Sequence, residues 1–227
     1  MFERAHHQRI ATLLAGLDAE KLERWGCYFG GGTAVTLALG EYRESVDVDF
    51  LCASTEGYRA LRLAVFDGTI NGISRGPLRL LRDVKADQYG VRTFVEIDGS
   101  PIRLELIREA RIELSGSFDP SLGVAVLARE DLIAEKLLAN VDRFADAATF
   151  NRDAIDLAMM LHAWGPAPET SWRKARSAYG DTVDRAFGLA LERLRDPAHL
   201  ARCLSELSID AALAPRILEA LALNTPA

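Results

Sequence analysis

The stretch Phe29-Gly30-Gly31-Gly32-Thr33-Ala34-Val35-Thr36-Leu37, followed shortly by Arg43-Glu44-Ser45-Val46-Asp47-Val48-Asp49-Phe50, decides how the rest of the chain is read. Three glycines between two apolar runs predict a strand over 25–30, a tight turn, and a short helix over 32–39 with Gly40 as its C-terminal cap. Such a turn aims backbone N–H groups, and the positive end of a helix, at whatever lies in front of it. From Val46 onward the alternation of apolar and acidic residues predicts a strand with Val46, Val48 and Phe50 on one face and Asp47 and Asp49 on the other. The two aspartate backbones are then about 7 Å apart. Carboxylates that close repel unless a cation lies between them, and Mg²⁺ takes hard oxygens and bridges phosphates. A phosphate cradle followed by a two-carboxylate metal strand is the skeleton of a nucleotidyl-transfer site. The plainer alternative is a glycine turn beside an exposed acidic strand face.

Around this stretch the chain has the composition of an ordinary globule, with 227 residues, 49% hydrophobic and 26% charged. The formal net charge of −6 gives no global nucleic-acid footprint, so a polynucleotide partner would have to meet a local basic patch. The N-terminal residues carry no apolar core of signal-peptide type, and no apolar run reaches the roughly 20 residues of a membrane span. Cys27, Cys52 and Cys203 are odd in number and scattered, which fits a reducing cytoplasm. Without a Cys-x-x-Cys, zinc is not expected, and His6-His7 reads as a solvated pair.

Ile10, Leu13, Leu14, Leu17 and Leu22 fall at helical spacing and predict one or two amphipathic helices within 8–24. A helix over 56–65 and a turn-rich loop over 66–77 follow. Strands over 78–86, 91–97 and 102–107 are separated by Tyr89-Gly90 and Asp98-Gly99 as hairpin turns. From Arg129 the texture is helical as far as Ala222, punctuated by Pro166, Pro168, Pro197 and Pro215. The expected fold is α+β, with a mixed sheet flanked by helices over 1–127 and a helical bundle over 128–227.

A second constellation lies in the helical part. Glu130 to Arg143 reads as one helix, buried through Ile133, Leu137, Leu138, Val141 and Phe144. Lys136 and Arg143 share its other stripe with the small Ala139 between them, an arrangement that suits a triphosphate. The next helix opens with Asn151-Arg152-Asp153-Ala154-Ile155-Asp156-Leu157, which sets Asp153 and Asp156 one turn apart. A salt-bridge network of Arg143, Arg152, Asp153 and Asp156 joining the two helices is the structural alternative. Arg173, Lys174 and Arg176 form a small basic cluster that reads as a solvated face.

Together, Gly31-Gly32-Thr33-Ala34, Arg43-Glu44-Ser45-Val46-Asp47-Val48-Asp49-Phe50, the Ala134-Glu135-Lys136 helix and Arg152-Asp153 to Asp156-Leu157 resemble the AbiEii/AbiGii toxin family of the DNA polymerase beta-like nucleotidyltransferase superfamily. The resemblance covers roughly residues 25–160. A Lys-Glu-Trp-like block that many members carry in the middle strands is missing; Lys85 is the only stand-in. The resemblance implies transfer of NMP from an NTP to a hydroxyl, with Mg²⁺ or Mn²⁺ held by Asp47, Asp49 and a third carboxylate from a later strand. Glu105 is the candidate for that third position and Glu96 the runner-up. It implies phosphate contacts from Gly31, Gly32 and Thr33, including the threonine hydroxyl, and from Lys136, with Arg143, Asp153 and Asp156 as further members of the site. Arg43 and Ser45 would orient the carboxylate strand. The biological setting it implies is a bacterial toxin–antitoxin or abortive-infection toxin, with tRNA as acceptor and a separate antitoxin protein. Transfer to a small molecule such as an aminoglycoside, transfer to a protein side chain, and a nucleotide-binding regulator that turns nothing over are the alternatives.

Overall fold

The computed structural model describes residues 2–225, and they divide into two compact units. One comprises residues 2–37 with Ser45–Ala128, the other Ala38–Glu44 with residues 129–225. A sequence boundary near residue 127 does not foresee that short excursion, in which the chain enters the helical unit before returning to the sheet.

The first unit is built on a mixed seven-stranded sheet. In chain order its elements are α1 (Ala5–Gly16), α2 (Ala19–Arg24), β1 (Cys27–Gly30), α3 (Gly31–Ala38), β2 (Asp47–Cys52), α4 (Thr55–Ala64), β3 (Arg79–Ala86), β4 (Gly90–Ile97), β5 (Ser100–Arg108), β6 (Gly116–Asp119) and β7 (Val124–Leu127). The strands lie in the order β3-β4-β5-β2-β1-β7-β6. Pairing is parallel between β2 and β5 and between β1 and β7, and antiparallel elsewhere. The helical spacing of Ile10, Leu13 and Leu14 puts all three into the core, and α1 packs on β4. Val48 and Phe50 are fully buried from β2, and Leu104 and Leu106 from β5, so alternation sends Asp47, Asp49 and Glu105 to the other face. Val46 departs from its expected place: it precedes the strand and is half exposed. Asp98 and Gly99 both adopt positive φ, as a two-residue hairpin between β4 and β5 requires.

The second unit holds α5 (Arg129–Arg143), α6 (Arg152–Trp164), α7 (Glu169–Tyr179), α8 (Thr182–Leu194), α9 (Pro197–Glu206) and α10 (Ala214–Leu223). Pro168, Pro197 and Pro215 stand at the starts of α7, α9 and α10, where a missing N–H costs nothing. α5 packs on α6, α7 and α8, and Trp172 meets Phe187 edge-on with ring centroids 5.3 Å apart. No helix among the described residues is long and apolar enough to cross a membrane.

Two strands, β6 and β7, are not anticipated by the sequence reading. Each has four residues, too few to show a period, although the apolar run Val124-Ala125-Val126-Leu127 after Gly123 is a usable signal.

Candidate active site

Gly31 is the residue on which the first site turns. Its φ of +68° is a conformation that side chains rarely adopt. A Cβ built there would lie 2.5 Å from Asp49 Oδ2 and 2.9 Å from Asp49 Cβ. The aspartate side chain thus rests in the space that only a glycine leaves, at the first residue of α3. The register explains the approach: Gly30 of β1 pairs with Asp49 of β2, so the turn after Gly30 passes over that carboxylate.

Thr33 and Ser45 hold the same corner from inside. Thr33 is buried, and its hydroxyl donates to the Asp47 carbonyl oxygen at 2.5 Å while meeting Ser45 Oγ at 2.8 Å. The hydroxyl expected to meet phosphate is thus turned to the strand entry in this structure. His6 and His7 are also not the solvated pair that the sequence suggested. His7 is fully buried and its Nε2 accepts from the Ser45 N–H at 3.2 Å, while His6 Nε2 lies 3.0 Å from the Val46 carbonyl oxygen. Both histidines thus grip the two residues that lead into the aspartate strand.

Glu105 occupies the expected position beside Asp49, its register partner on the parallel strand β5. Its company is different from what was expected. Arg92 Nε lies 3.1 Å and Arg103 Nη2 2.8 Å from its Oε1, so two guanidinium groups occupy the carboxylate that was to complete a metal set. Glu96, the runner-up, is paired with Arg79 at 2.7 Å. Among the described residues, no group of three His, Cys, Asp or Glu side chains converges as metal ligands. The donor set that fits a hard cation is therefore Asp47 with Asp49, two carboxylates on one strand face against a glycine turn. A Mg²⁺ ion with one or two protein carboxylates and the rest of its shell from phosphate and water needs no more.

The remaining candidates gather in the second unit. Asp156 is fully buried at the centre of a polar cluster on α6. Arg43 holds it bidentately, Nε to Oδ1 at 2.7 Å and Nη2 to Oδ2 at 2.9 Å, the Tyr42 hydroxyl donates to Oδ1 at 2.5 Å, and Lys136 Nζ stands 2.6 Å from Oδ2. Lys136 also donates to Asp153 Oδ1 at 2.9 Å, and Arg143 reaches both oxygens of Asp153. Three cations thus face two carboxylates. Burial alone would raise the Asp156 carboxyl, but Arg43 and Lys136 more than reverse this and hold it well below the usual carboxylate range. Asp153 is lowered in the same sense: burial is outweighed by Lys136 and Arg143. Burial, then the Asp156 charge, pushes the Tyr42 phenol well up, so it stays a donor.

Arg43, expected to orient the aspartate strand, holds Asp156 and also donates from Nη1 to the Glu44 carbonyl at 2.8 Å; with Tyr42 it stands in the network where Arg152 was expected. Asn140, one turn on from Lys136, is buried with neither amide atom partnered. Sequence reasoning missed Tyr42 and Asn140, and nothing local to either marks it. The Arg173, Lys174 and Arg176 cluster is largely ion-paired, Lys174 to Asp131 and Arg176 to Asp184 and Glu169.

A glycine-turned helix start packed on an Asp-x-Asp strand in a mixed sheet, followed by helices, defines a nucleotidyltransferase-type protein. A family model, "Nucleotidyl transferase AbiEii toxin, Type IV TA system", matches residues 12–222, and the chain belongs to that family. It is thus a nucleotidyltransferase-family member of toxin–antitoxin type. No curated protein matches the sequence. Similar solved structures are JHP933 from Helicobacter pylori, at 16% identity and TM-score 0.44 over 98% of this chain and 93% of that one, and an antigenic nucleotidyltransferase-like protein from Paracoccidioides brasiliensis, at 13% identity and TM-score 0.39 over 97% and 95%.

Proposed function

We propose that this protein moves NMP from an NTP to a hydroxyl of an RNA acceptor, tRNA first among the candidates, as the toxin of a toxin–antitoxin pair. The observation that carries the reading is the seat of the Asp49 carboxylate in the space left by Gly31, at the start of α3 and on the strand face it shares with Asp47. The backbone N–H groups of Gly31 and Gly32 at that helix start are donors suited to the triphosphate. Asp47 and Asp49 would hold the divalent cation, which when bound neutralises phosphate oxygens and lowers the pKa of the attacking hydroxyl. Thr33, Ser45 and His7 fix the backbone of the strand entry, so that Asp47 does not have to be ordered at each turnover.

Glu105, bridged by Arg92 and Arg103, is read as a positioning residue on the neighbouring strand. Lys136, Asp153 and Asp156 are read with Arg43 as the buried network that fixes α5 to α6.

The test is incubation of the whole chain with each α-labelled NTP, Mg²⁺ and total tRNA, beside Asp49→Ala. Label entering tRNA with the parent and not with the variant is expected. Mg²⁺-dependent NTP binding with no transfer to any RNA would overturn the acceptor assignment, and a fully active Asp49→Ala would overturn the site.

A further inference from the structure

The sheet face that carries Asp47 and Asp49 continues toward its β3 edge as a row of cations, and from it we infer the seat of the acceptor. We propose that β3, β4 and β5 form a track for a single-stranded RNA segment leading to the two aspartates; the inference rests on the transferase reading above.

Register places the residues. Arg79 pairs with Glu96, Arg82 with Phe94 and Lys85 with Arg92. Arg92 in turn pairs with Glu105 and Phe94 with Arg103, while Arg103 and Glu105 pair with Asp47 and Asp49. Residues directly opposite each other on neighbouring strands share a face. Arg79, Arg82, Lys85, Arg92 and Arg103 therefore stand on the face of the aspartates. Arg79, Arg82 and Lys85 are spaced by three, which in a regular strand would turn alternate members away. The pairing slips between Leu80 and Arg82 and again between Arg82 and Lys85, and each irregularity returns the next cation to the same side.

The charge is available to a ligand. Arg79, Arg82 and Lys85 are exposed, and the Arg103 side chain is 44% exposed. Glu96 offsets Arg79, Glu105 is shared by Arg92 and Arg103, and Asp87 also pairs with Arg92. Among the described residues, Arg82 and Lys85 have no carboxylate partner. Arg82 lies instead over the Phe94 ring at 4.9 Å, and Tyr89 stands exposed at the turn between β3 and β4. Cations along a face with aromatic rings between them are how proteins hold single strands, through phosphate contacts and base stacking. The row spans about 20 Å along β3, and three strand spacings, about 14 Å, separate β3 from β2. A small-molecule acceptor would meet one or two of these groups; a chain of phosphates meets them all. In a protein of net charge −6, this face is the local basic patch that a polynucleotide requires.

The test is fluorescence anisotropy of a labelled single-stranded RNA dodecamer with the full chain, with an Arg82→Ser/Lys85→Ser double variant, and with an Arg59→Ser/Arg62→Ser control that removes equal charge from α4. Both doubles change exposed side chains, and thermal unfolding checks that each is folded. The Arg82/Lys85 variant should bind the RNA at least tenfold more weakly. Its slope of log K against log salt should be shallower by about 1.4, roughly 0.7 for each single-strand phosphate that is no longer neutralised. Its Mg²⁺-dependent NTP binding should be unchanged, and the α4 control should bind RNA like the parent. Equal weakening by both doubles would reduce the effect to bulk charge and overturn the track. RNA binding by the Arg82/Lys85 variant equal to the parent's would also overturn it, while leaving the transferase reading to the labelling experiment. A parent that transfers label to some acceptor yet shows no affinity for the dodecamer would again defeat the track alone.

Discussion

At the scale of single residues, two glycines separate conformational cost from site chemistry. Gly31 and Gly40 both adopt positive φ, +68° and +77°. A Cβ at Gly40 would meet nothing within 4 Å, whereas one at Gly31 would collide with Asp49. Gly40→Ala should therefore cost only the strain of the backbone, about 1 kcal/mol by urea denaturation, with turnover retained. Gly31→Ala should cost about 1–3 kcal/mol and, by displacing the carboxylate on the order of 1 Å, lower turnover by about 10²-fold. Equal kinetics for the two variants would detach Asp49 from the reaction. Thr33 gives the complementary case. Thr33→Val keeps shape but leaves Ser45 Oγ and the Asp47 carbonyl short of a partner, so a loss of about 1–3 kcal/mol in the same denaturation is expected. The sequence singles out Gly31 and Thr33, but not the inward use of the threonine hydroxyl, because its partners are chosen by the return of the chain at residue 45.

At the scale of elements, what was legible was what periodicity controls. Alternation in 47–51 and 102–107 located both strands and sent Asp47, Asp49 and Glu105 to one face; 3.6-residue spacing located α1 and α5. Which charges face each other across elements was not legible, since Arg92 reaches Glu105 through the sheet register and Arg43 reaches Asp156 across 113 residues of sequence; the Arg103–Glu105 pair, two residues apart on one strand, follows from alternation alone. The α5–α6 network has a consequence for acid stability. Asp156 and Asp153 have lowered folded pKa values, so their contribution is complete above the ordinary carboxylate value of about 4 and is lost as the pH falls through the folded values. Asp156→Asn should lose about 3–5 kcal/mol at pH 7, because it leaves Arg43 and Lys136 buried against a neutral amide. Between pH 7 and pH 3 its urea midpoint should fall less than that of the parent, since one of the two acid-sensitive carboxylates is gone. Parallel midpoints across that range would mean that Asp156 is not ionised in the way its neighbours require.

At the scale of the whole molecule, the segment Ala38–Glu44 belongs with the helical unit although it lies within the sheet unit in sequence. It brings Tyr42 and Arg43, which between them make three of the hydrogen bonds that Asp156 receives. A cut at the sequence-based boundary would separate this segment from α6. A fragment of residues 129–227 would leave Asp156 with Lys136 as its remaining cation, already shared with Asp153. Removing one partner of a buried ion pair costs more than the pair itself contributes, because the surviving charge stays desolvated. The fragment should therefore unfold at lower urea concentration than the helical unit within the full chain, followed by the fluorescence of Trp164 and of Trp172, which packs on Phe187, with Trp25→Phe in the full chain. The cause can be isolated in the fragment itself. Asp156→Leu, which removes the charge and fills similar volume, should stabilise the fragment, whereas the same substitution in the full chain should destabilise it by stranding Arg43. A substitution that acts in the same direction in both would show that the helical unit does not depend on the borrowed segment.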